Sequence, residues 1–287
     1  MTEAELYTEY KGVYLSKSMN PPQSLKYLED FTFRPDDIII ATYPKSGTNW
    51  MQYMVSLITN DGDSTPVDTL SNSERAPWLE LFQAIALNLE KRPSPRVLTT
   101  HMCYNMMPQS FFEAKPKVIY VMRNPKDVFT SYFHFHQIAS FLVKPGSSSE
   151  FLHKFLDGKV SRGSWFDHIK SWLSADSNEQ ILYISYEELT ADLKASVAKV
   201  AEFLEKRLDD EVMEKIAEKC LFNNMKENKV SNYSTTPIQF LDQTKTKFFR
   251  KGVVGDWKNL LAAEEAEHFD AVYTDKMKDV EYSFVWD

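Results

Sequence analysis

Four short runs of the chain are apolar at nearly every position instead of at every second position. They are DIIIATY (37–43), RVLTTH (96–101), KVIYVMR (117–123) and QILYISY (180–186). Continuous apolar runs of this length are typical of strands that are buried on both faces, as in a parallel sheet. The pattern therefore predicts four strands of a mainly parallel sheet.

Helical patterns fill the stretches between these runs. The apolar residues that follow Gly47 fall on one helical stripe, formed by Trp50, Met51, Met54, Val55 and Ile58. Asn124 followed by Pro125 is a helix start signal. Strands that alternate with helices predict an α/β fold with a central sheet flanked by helices. Ligands of such folds bind at the carboxyl ends of the strands.

Composition fits this picture and narrows it. Of the 287 residues, 43% are hydrophobic and 26% are charged, which are ordinary values for a globular protein. No internal repeat and no long linker divides the chain, so we expect a single domain over 1–287. The two cysteines cannot form a disulfide framework.

The net charge of −8 argues against a nucleic-acid partner, because such proteins usually carry a basic face. Any anion must then be bound by a few placed residues. The apolar runs are too short to span a membrane, and the acidic N-terminus does not read as a signal peptide. We therefore expect a cytoplasmic protein with no nucleic-acid or membrane partner.

The segment TYPKSGTNW (42–50) carries the most chemical information. It ends the first predicted strand and opens the first helix, where backbone N–H groups form an anion cradle. Lys45 adds a positive charge, and Ser46 and Thr48 add hydroxyl donors. The segment would bind an anion as a P-loop does, but it does not match the P-loop sequence pattern. Here Lys45 precedes Gly47 instead of following a second glycine.

Several motifs in the same order resemble those of the cytosolic sulfotransferases, which use 3′-phosphoadenosine 5′-phosphosulfate (PAPS) as the sulfuryl donor. YPKSGTNW (43–50) is similar to their 5′-phosphosulfate loop. VIYVMRNPKDVFTSYFHF (118–135) and RKGVVGDWKN (250–259) are similar to their 3′-phosphate segments. GSWFDHIKSW (163–172) and MKENKVSNYS (225–234) look closest to the hydroxysteroid, or alcohol, branch. The resemblance extends from about residue 30 to the C-terminus.

The resemblance implies a set of residues that bind PAPS and its product PAP. The 5′ end would be held by Lys45, Ser46, Gly47, Thr48 and Asn49. The 3′-phosphate would be held by Arg123, Ser131, Arg250, Lys251 and Gly252. The adenine would stack between Trp50 and Phe222 and contact Tyr186, and Met225 would also belong to the cofactor-binding set. Cys220 stands where the family usually has Ser or Thr, so it is either a weakened nucleotide contact or a buried small residue.

The resemblance also implies the catalytic pair. His101 follows the second strand run, and its pattern alone favours a structural histidine. As a family member the chain would use His101 as the general base, and Lys45 would neutralise charge on the leaving oxygen. His168 is expected to be structural. No metal is expected, because no zinc-like spacing is present and Arg123 stands where a nucleotide hydrolase would hold magnesium.

The acceptor pocket is predicted from aromatic residues, namely Trp78, Tyr132, Phe133 and Tyr233. These suit a small apolar alcohol such as a hydroxysteroid. Phenol-type members carry a lysine where this chain has Thr99, which favours the hydroxysteroid branch and a role in steroid or other lipid metabolism. The polar segment 229–247 is either a lid that closes over the nucleotide or a surface loop.

Three alternatives remain open from the sequence. The enzyme could act on phenols or amines, it could be a kinase that uses ATP, or it could bind a nucleotide without catalysis. The family's short dimer motif is K-x-x-x-T-V-x-x-x-E, and here Ala262 and Ala263 replace its Thr-Val. We therefore expect a monomer or a weak homodimer.

Overall fold

The four continuous apolar runs form a parallel sheet in the computed structural model, which describes residues 2–287. The strands form a hairpin and a sheet, and they are β1 (Tyr7–Tyr10), β2 (Val13–Ser16), β3 (Ile38–Thr42), β4 (Val97–Thr100), β5 (Lys117–Met122) and β6 (Ile181–Ser185). Strands β1 and β2 pair antiparallel, and the sheet has the order β4-β3-β5-β6 with every pair parallel. All five residues of β3 are buried, as a strand covered on both faces requires. The predicted α/β fold is confirmed.

The strand order places a crevice between β3 and β5. The chain leaves β3 towards β4 on one side and leaves β5 towards β6 on the other. Loops that diverge in this way open a ligand site at the carboxyl ends of the two strands. The loop that begins at Tyr43 and the loop that begins at Arg123 therefore meet at this crevice.

Helices cover both faces of the sheet. They are α1 (Glu3–Leu6), α2 (Pro22–Asp30), α3 (Thr48–Thr59), α4 (Thr65–Thr69), α5 (Asn72–Arg75), α6 (Gln83–Ala86), α7 (Gln109–Ala114), α8 (Pro125–Ile138), α9 (Ser148–Leu156), α10 (Trp165–Leu173), α11 (Tyr186–Ala191), α12 (Leu193–Phe203), α13 (Asp210–Lys219), α14 (Phe222–Glu227) and α15 (Ala263–Met277). Short 3₁₀ turns occur at Leu89–Lys91, Tyr104–Met106 and Asp256–Asn259. Helix α8 begins as predicted, with the Asn124 side chain accepting a hydrogen bond from the Asp127 N–H at 2.9 Å.

The sheet separates two apolar cores. One core is rich in aromatic side chains and includes Tyr43, Phe129, Phe155, Trp165 and Trp172. The other is mainly aliphatic and packs α3, α12 and α13 on the opposite face. Over residues 2–287, no helix is both long enough and apolar enough to cross a membrane.

A segment beside β4 extends the sheet edge next to His101. The Leu79 N–H donates to the Thr99 carbonyl at 2.9 Å, and the Thr99 N–H donates to the Pro77 carbonyl at 2.8 Å. Trp78 and Glu80 are two positions apart, so an extended backbone directs both side chains to the same side. Both contact His101, which follows β4.

Candidate active site

A cavity of about 560 Å³ opens at the carboxyl ends of the strands. All but three of the residues predicted for the site line it, and those that do are Lys45, Gly47, Thr48, Asn49, Trp50, Trp78, His101, Arg123, Ser131, Tyr132, Tyr186, Phe222, Met225, Tyr233, Arg250, Lys251 and Gly252. They come from segments that are far apart in sequence. The fold therefore gathers the predicted nucleotide and acceptor residues around one space.

Three predicted residues, Ser46, Phe133 and Cys220, do not line this cavity. Ser46 is fully buried within its loop. Phe133 points away from the cavity and packs against Phe151, with 5.8 Å between the ring centroids, so its assignment to the acceptor pocket is corrected. Cys220 is fully buried in the aliphatic core, where burial raises the pKa of its thiol. Its surroundings fit the buried small residue, and the structure does not place it as a nucleotide contact.

The loop from β3 to α3 turns through unusual backbone geometry. Lys45 has a φ of 68° and Gly47 a φ of 108°, both in the left-handed region. A side chain at Gly47 would also crowd Tyr186, because a Cβ atom there would lie 3.2 Å from the ring. Strained backbone of this kind is typical of ligand-binding loops. The turn leads directly into α3, whose first N–H groups have no partner within the helix and can meet an anion.

The Lys45 ammonium lies between two aromatic rings. Its Nζ atom is 3.9 Å from the ring centroid of Phe248 and 4.5 Å from that of Phe135. Burial, together with the positive charges of Arg123 and Arg250, lowers the pKa of Lys45 to about 7. An anion bound beside Lys45 would favour the protonated form.

Arg123 joins the segments that are predicted to bind the nucleotide. Its guanidinium donates to the Lys45 carbonyl at 3.2 Å and to the Val253 carbonyl at 3.1 Å. It also lies over the Tyr186 ring, at 4.0 Å from the centroid. These contacts hold a buried arginine at the point where β5 ends, so its position is fixed before any phosphate arrives.

The C-terminal segment 248–257 is tied to the start of α8. Asp127 accepts hydrogen bonds from the N–H groups of Gly255 at 2.8 Å and Trp257 at 3.0 Å. Within this segment, Arg250 and Lys251 both pair with Asp256. Gly252 has a φ of 70°, and a Cβ atom there would overlap the Phe222 ring. Glycine therefore allows the segment to approach Phe222.

The nucleotide end of the cavity suits a ligand rich in hydrogen-bond acceptors. Buried polar groups without partners are uncommon in proteins. Here Trp50 Nε1 and Arg123 Nε belong to residues of the cavity lining and are buried donors that no group of residues 2–287 satisfies. Together with the cations of Lys45, Arg250 and Lys251, these donors fit a ligand that has separated anionic ends. In the same residues, no cluster of three or more His, Cys, Asp or Glu side chains could hold a metal ion.

The His101 imidazole has a defined tautomer. Its Nδ1 atom is 2.7 Å from the Thr42 carbonyl oxygen, which can only accept a hydrogen bond. The proton is therefore on Nδ1, and Nε2 carries the free lone pair. Burial lowers the pKa of His101 well below its ordinary value, and the positive charge of Arg162 acts in the same direction. His101 is thus neutral at pH 7 and able to accept a proton at Nε2.

His168 is a structural histidine that bonds to the backbone of His101. Its Nε2 donates to the His101 carbonyl at 3.1 Å, and its Nδ1 accepts from the Tyr120 hydroxyl at 2.8 Å. Both ring nitrogens are therefore satisfied by the protein. The prediction that His168 is a buried hydrogen-bonding residue is confirmed.

The acceptor end of the cavity is largely apolar. The Trp78 ring lies 4.4 Å from the His101 ring, centroid to centroid. The Tyr132 hydroxyl donates to the Ser161 carbonyl at 2.9 Å, and the Tyr233 hydroxyl donates to Asn49 Oδ1 at 3.2 Å. Further apolar residues that the sequence did not indicate also line this end, namely Phe82, Phe135, Phe141, Leu142, Phe240, Leu241 and Phe248. No motif marks them, because they come from separate segments with ordinary helix or loop patterns.

The predicted lid, 229–247, contains turns and no helix or regular strand. Six of its residues line the cavity, and they are Val230, Tyr233, Thr235, Thr236, Phe240 and Leu241. The segment therefore forms part of the wall of the cavity. That it moves on nucleotide binding stays a prediction.

Comparison with known proteins gives consistent matches. The family model described as "Sulfotransferase domain" matches residues 35–281. The chain is 44% identical to mouse Sulfotransferase 2B1 over 98% of its length and 83% of that protein, and 42% identical to mouse Sulfotransferase 1B1 over 91% and 89%. Among solved structures, mouse SULT7A1 complexed with PAP superimposes with a TM-score of 0.80 at 33% identity, covering 96% of both chains.

Proposed function

The chain belongs to the sulfotransferase family, and from this we propose that it transfers the sulfuryl group of PAPS to the hydroxyl of a small apolar alcohol, with hydroxysteroids preferred. Its family decides against the kinase alternative. The observation that carries the proposal is that His101, bonded through Nδ1 to Thr42, lines the same cavity as a cluster of cations, namely Lys45, Arg123, Arg250 and Lys251. We also propose that residues 1–287 form a single domain and that the protein is cytoplasmic, as a monomer or weak homodimer.

The donor end uses the cations and the unpaired donors of the cavity. When bound, PAPS supplies the sulfuryl group and leaves as PAP. Arg123, Arg250 and Lys251 provide positive charge for the 3′-phosphate, since guanidinium groups suit phosphate oxygens geometrically. The loop around Lys45 and Gly47 provides N–H groups for the 5′ end. Ser131 lines the same end, and Trp50 and Phe222 offer aromatic faces for adenine.

The acceptor end prepares the hydroxyl group for attack. His101 Nε2 accepts the hydroxyl proton, and the Nδ1–H bond to Thr42 stabilises the imidazolium that results. The positive charge of Lys45 stabilises the negative charge that develops on the leaving oxygen. Cationic side chains and backbone donors thus supply the electrostatic stabilisation of the reaction.

We expect PAP to bind at least tenfold more tightly than AMP. The two ligands differ in the 3′-phosphate, for which Arg123, Arg250 and Lys251 supply the charge, and a charge-assisted hydrogen bond contributes about 1.5–3 kcal/mol. Titration calorimetry with both nucleotides measures the ratio. Arg250→Met should reduce the ratio, whereas the exposed Lys215→Met should leave it unchanged. Equal affinities for PAP and AMP in the unsubstituted protein would contradict the PAPS assignment.

The apolar lining supports an alcohol acceptor on a fused ring system. Thr99 is fully buried, and its hydroxyl donates to the Ala76 carbonyl and accepts from Gln52, so this position places no cation beside His101. Burial of apolar surface contributes about 25 cal/mol per Å², so a steroid can bind without charged partners.

We therefore expect kcat/KM for a 3-hydroxysteroid to exceed that for a simple phenol by about tenfold or more, because the steroid buries more apolar surface in the cavity. Steady-state rates at saturating PAPS measure this ratio, with an arylamine as a third acceptor. A clear preference for the phenol or the amine would overturn the acceptor class and leave sulfuryl transfer intact.

A further inference from the structure

A buried ion pair between Glu80 and Arg162 lies next to His101 and takes no direct part in the proposed reaction. Glu80 is fully buried and Arg162 is 7% exposed, and their side chains approach to 3.3 Å. Burial of two charges is costly unless each group is well hydrogen-bonded. Both side chains of this pair make further hydrogen bonds within the protein.

Glu80 binds the backbone that carries His101. Its Oε1 accepts from the His101 N–H at 2.9 Å, and its Oε2 accepts from the Thr100 hydroxyl at 3.0 Å. The carboxylate therefore bridges the last residue of β4 and the residue after it.

Arg162 closes the network from the other side. Its Nη2 donates to Asn20 Oδ1 at 3.2 Å, and Asn20 Nδ2 donates to the Glu80 carbonyl at 2.7 Å. The Arg162 N–H donates to the Tyr14 carbonyl in β2 at 2.7 Å, which ties the residue to the hairpin. Glu80, Arg162 and Asn20 thus form a closed ring of contacts that spans three distant segments.

We propose that Glu80 and Arg162 are positioning residues for His101, with Glu80 fixing its backbone and Arg162 balancing the carboxylate at the wall of the acceptor cavity. The proposal rests on the proposed role of His101 as the general base. Each residue acts through the location and the charge state of the imidazole, and neither is assigned a contact with the reacting atoms.

Burial is the main cause of the low pKa of His101, and neighbouring charges add to it. Arg162, Lys45 and His168 each lower the pKa of His101 when they are positively charged. The Glu80 carboxylate acts in the opposite direction. Loss of the Arg162 charge alone would raise the pKa of His101, and loss of the Glu80 charge alone would lower it. Loss of both would leave it near its starting position.

A double-substitution cycle tests the pair. We expect Arg162→Met to shift the acid limb of the kcat/KM profile upward by about one pH unit, since the uncompensated carboxylate favours the imidazolium. Glu80→Gln should shift the limb downward and lower kcat by about tenfold, since a neutral amide holds the His101 N–H less firmly. The double variant should return the limb to within about 0.3 pH units of the original. The KM for PAPS should stay unchanged in all three.

A second buried ion pair, at the amino ends of β3 and β4 and away from His101, provides the matched control. Asp37 and Arg96 approach to 2.5 Å and are both nearly inaccessible, but they lie at the amino ends of β3 and β4. Asp37→Asn should lower the unfolding temperature without moving the pH profile. If Glu80→Gln folds poorly, Glu80→Asp keeps the charge and should keep the position of the limb while lowering kcat.

An acid limb that stays in place in Arg162→Met would overturn the proposal, as would Glu80 variants that only lose stability in the manner of Asp37→Asn. Failure of the proposed function looks different. In that case His101→Ala itself would retain its rate, whatever the Glu80 and Arg162 variants do. If His101→Ala is inactive and the pair variants shift nothing, only the positioning role falls.

Discussion

Replacement of His101 by Ala should lower kcat by about 10²–10⁴-fold, while the affinity for PAP stays within about twofold. The imidazole is the group in this cavity whose lone pair is free and whose proton is fixed on the other nitrogen by Thr42. Loss of that base leaves an aliphatic alcohol, a weak acid, without a proton acceptor. Single-turnover rates with preloaded PAPS, together with calorimetry for PAP, measure both quantities.

The pH profile of the unsubstituted enzyme adds an independent check. A general base works when it is deprotonated, and its rate falls as the pH drops through its pKa. Burial and the Arg162 charge hold the pKa of His101 well below 6.5, so the acid limb should lie below that pH. The matched control is His134→Ala, which removes a histidine that does not line the cavity. This variant should keep the rate of the unsubstituted enzyme. Near-normal turnover of His101→Ala with several acceptors would make His101 structural.

Lys45→Met should reduce kcat by about 10²–10³-fold, because it removes a cation from the site where charge develops. The substitution keeps an unbranched apolar chain between the rings of Phe135 and Phe248, so the cavity should keep its shape. Rates at saturating PAPS and acceptor measure the loss. A rate within about threefold of the original would show that the loop amides alone stabilise the transition state.

Proton uptake provides a second signature of Lys45. With a pKa of about 7, the amine is partly neutral at neutral pH, and a neighbouring anion raises its pKa. Nucleotide binding at pH 7 should therefore take up a fraction of a proton, and affinity should fall as the pH rises above 7. Calorimetry in two buffers of different ionisation enthalpy detects this uptake. It should vanish in Lys45→Met and in Lys45→Arg, since a guanidinium does not titrate in this range.

The nucleotide side of the site could be predicted because its residues belong to continuous motifs at strand ends. The apolar run before Tyr43 forms β3, and the loop after it reaches the cavity as the parallel-sheet rule requires. The run before Arg123 forms β5 in the same way. In both cases a local pattern determines the strand, and the strand determines where the next side chains lie.

The acceptor side was less predictable because it is assembled by tertiary packing. Tyr132 and Phe133 are adjacent on α8, and successive helix positions point about 100° apart, so only Tyr132 faces the cavity. The hairpin of β1 and β2 had no strong pattern, yet it anchors Arg162 through Tyr14. Nothing local to Glu80 or Arg162 indicates that they meet behind His101. Their partnership depends on three segments that are about 60 to 140 residues apart.

The Asp256 carboxylate would compete with a bound phosphate for the same two cations. Its carboxylate pairs with both Arg250 and Lys251, which are two of the cations expected to meet the 3′-phosphate. A 3′-phosphate that binds these two cations as proposed competes with this carboxylate, so we expect a net attraction smaller than the sum of two unopposed ion pairs. The same exchange assists the departure of PAP, because Asp256 re-forms its pairs as the phosphate leaves. The arrangement favours repeated turnover over a long residence time of the product.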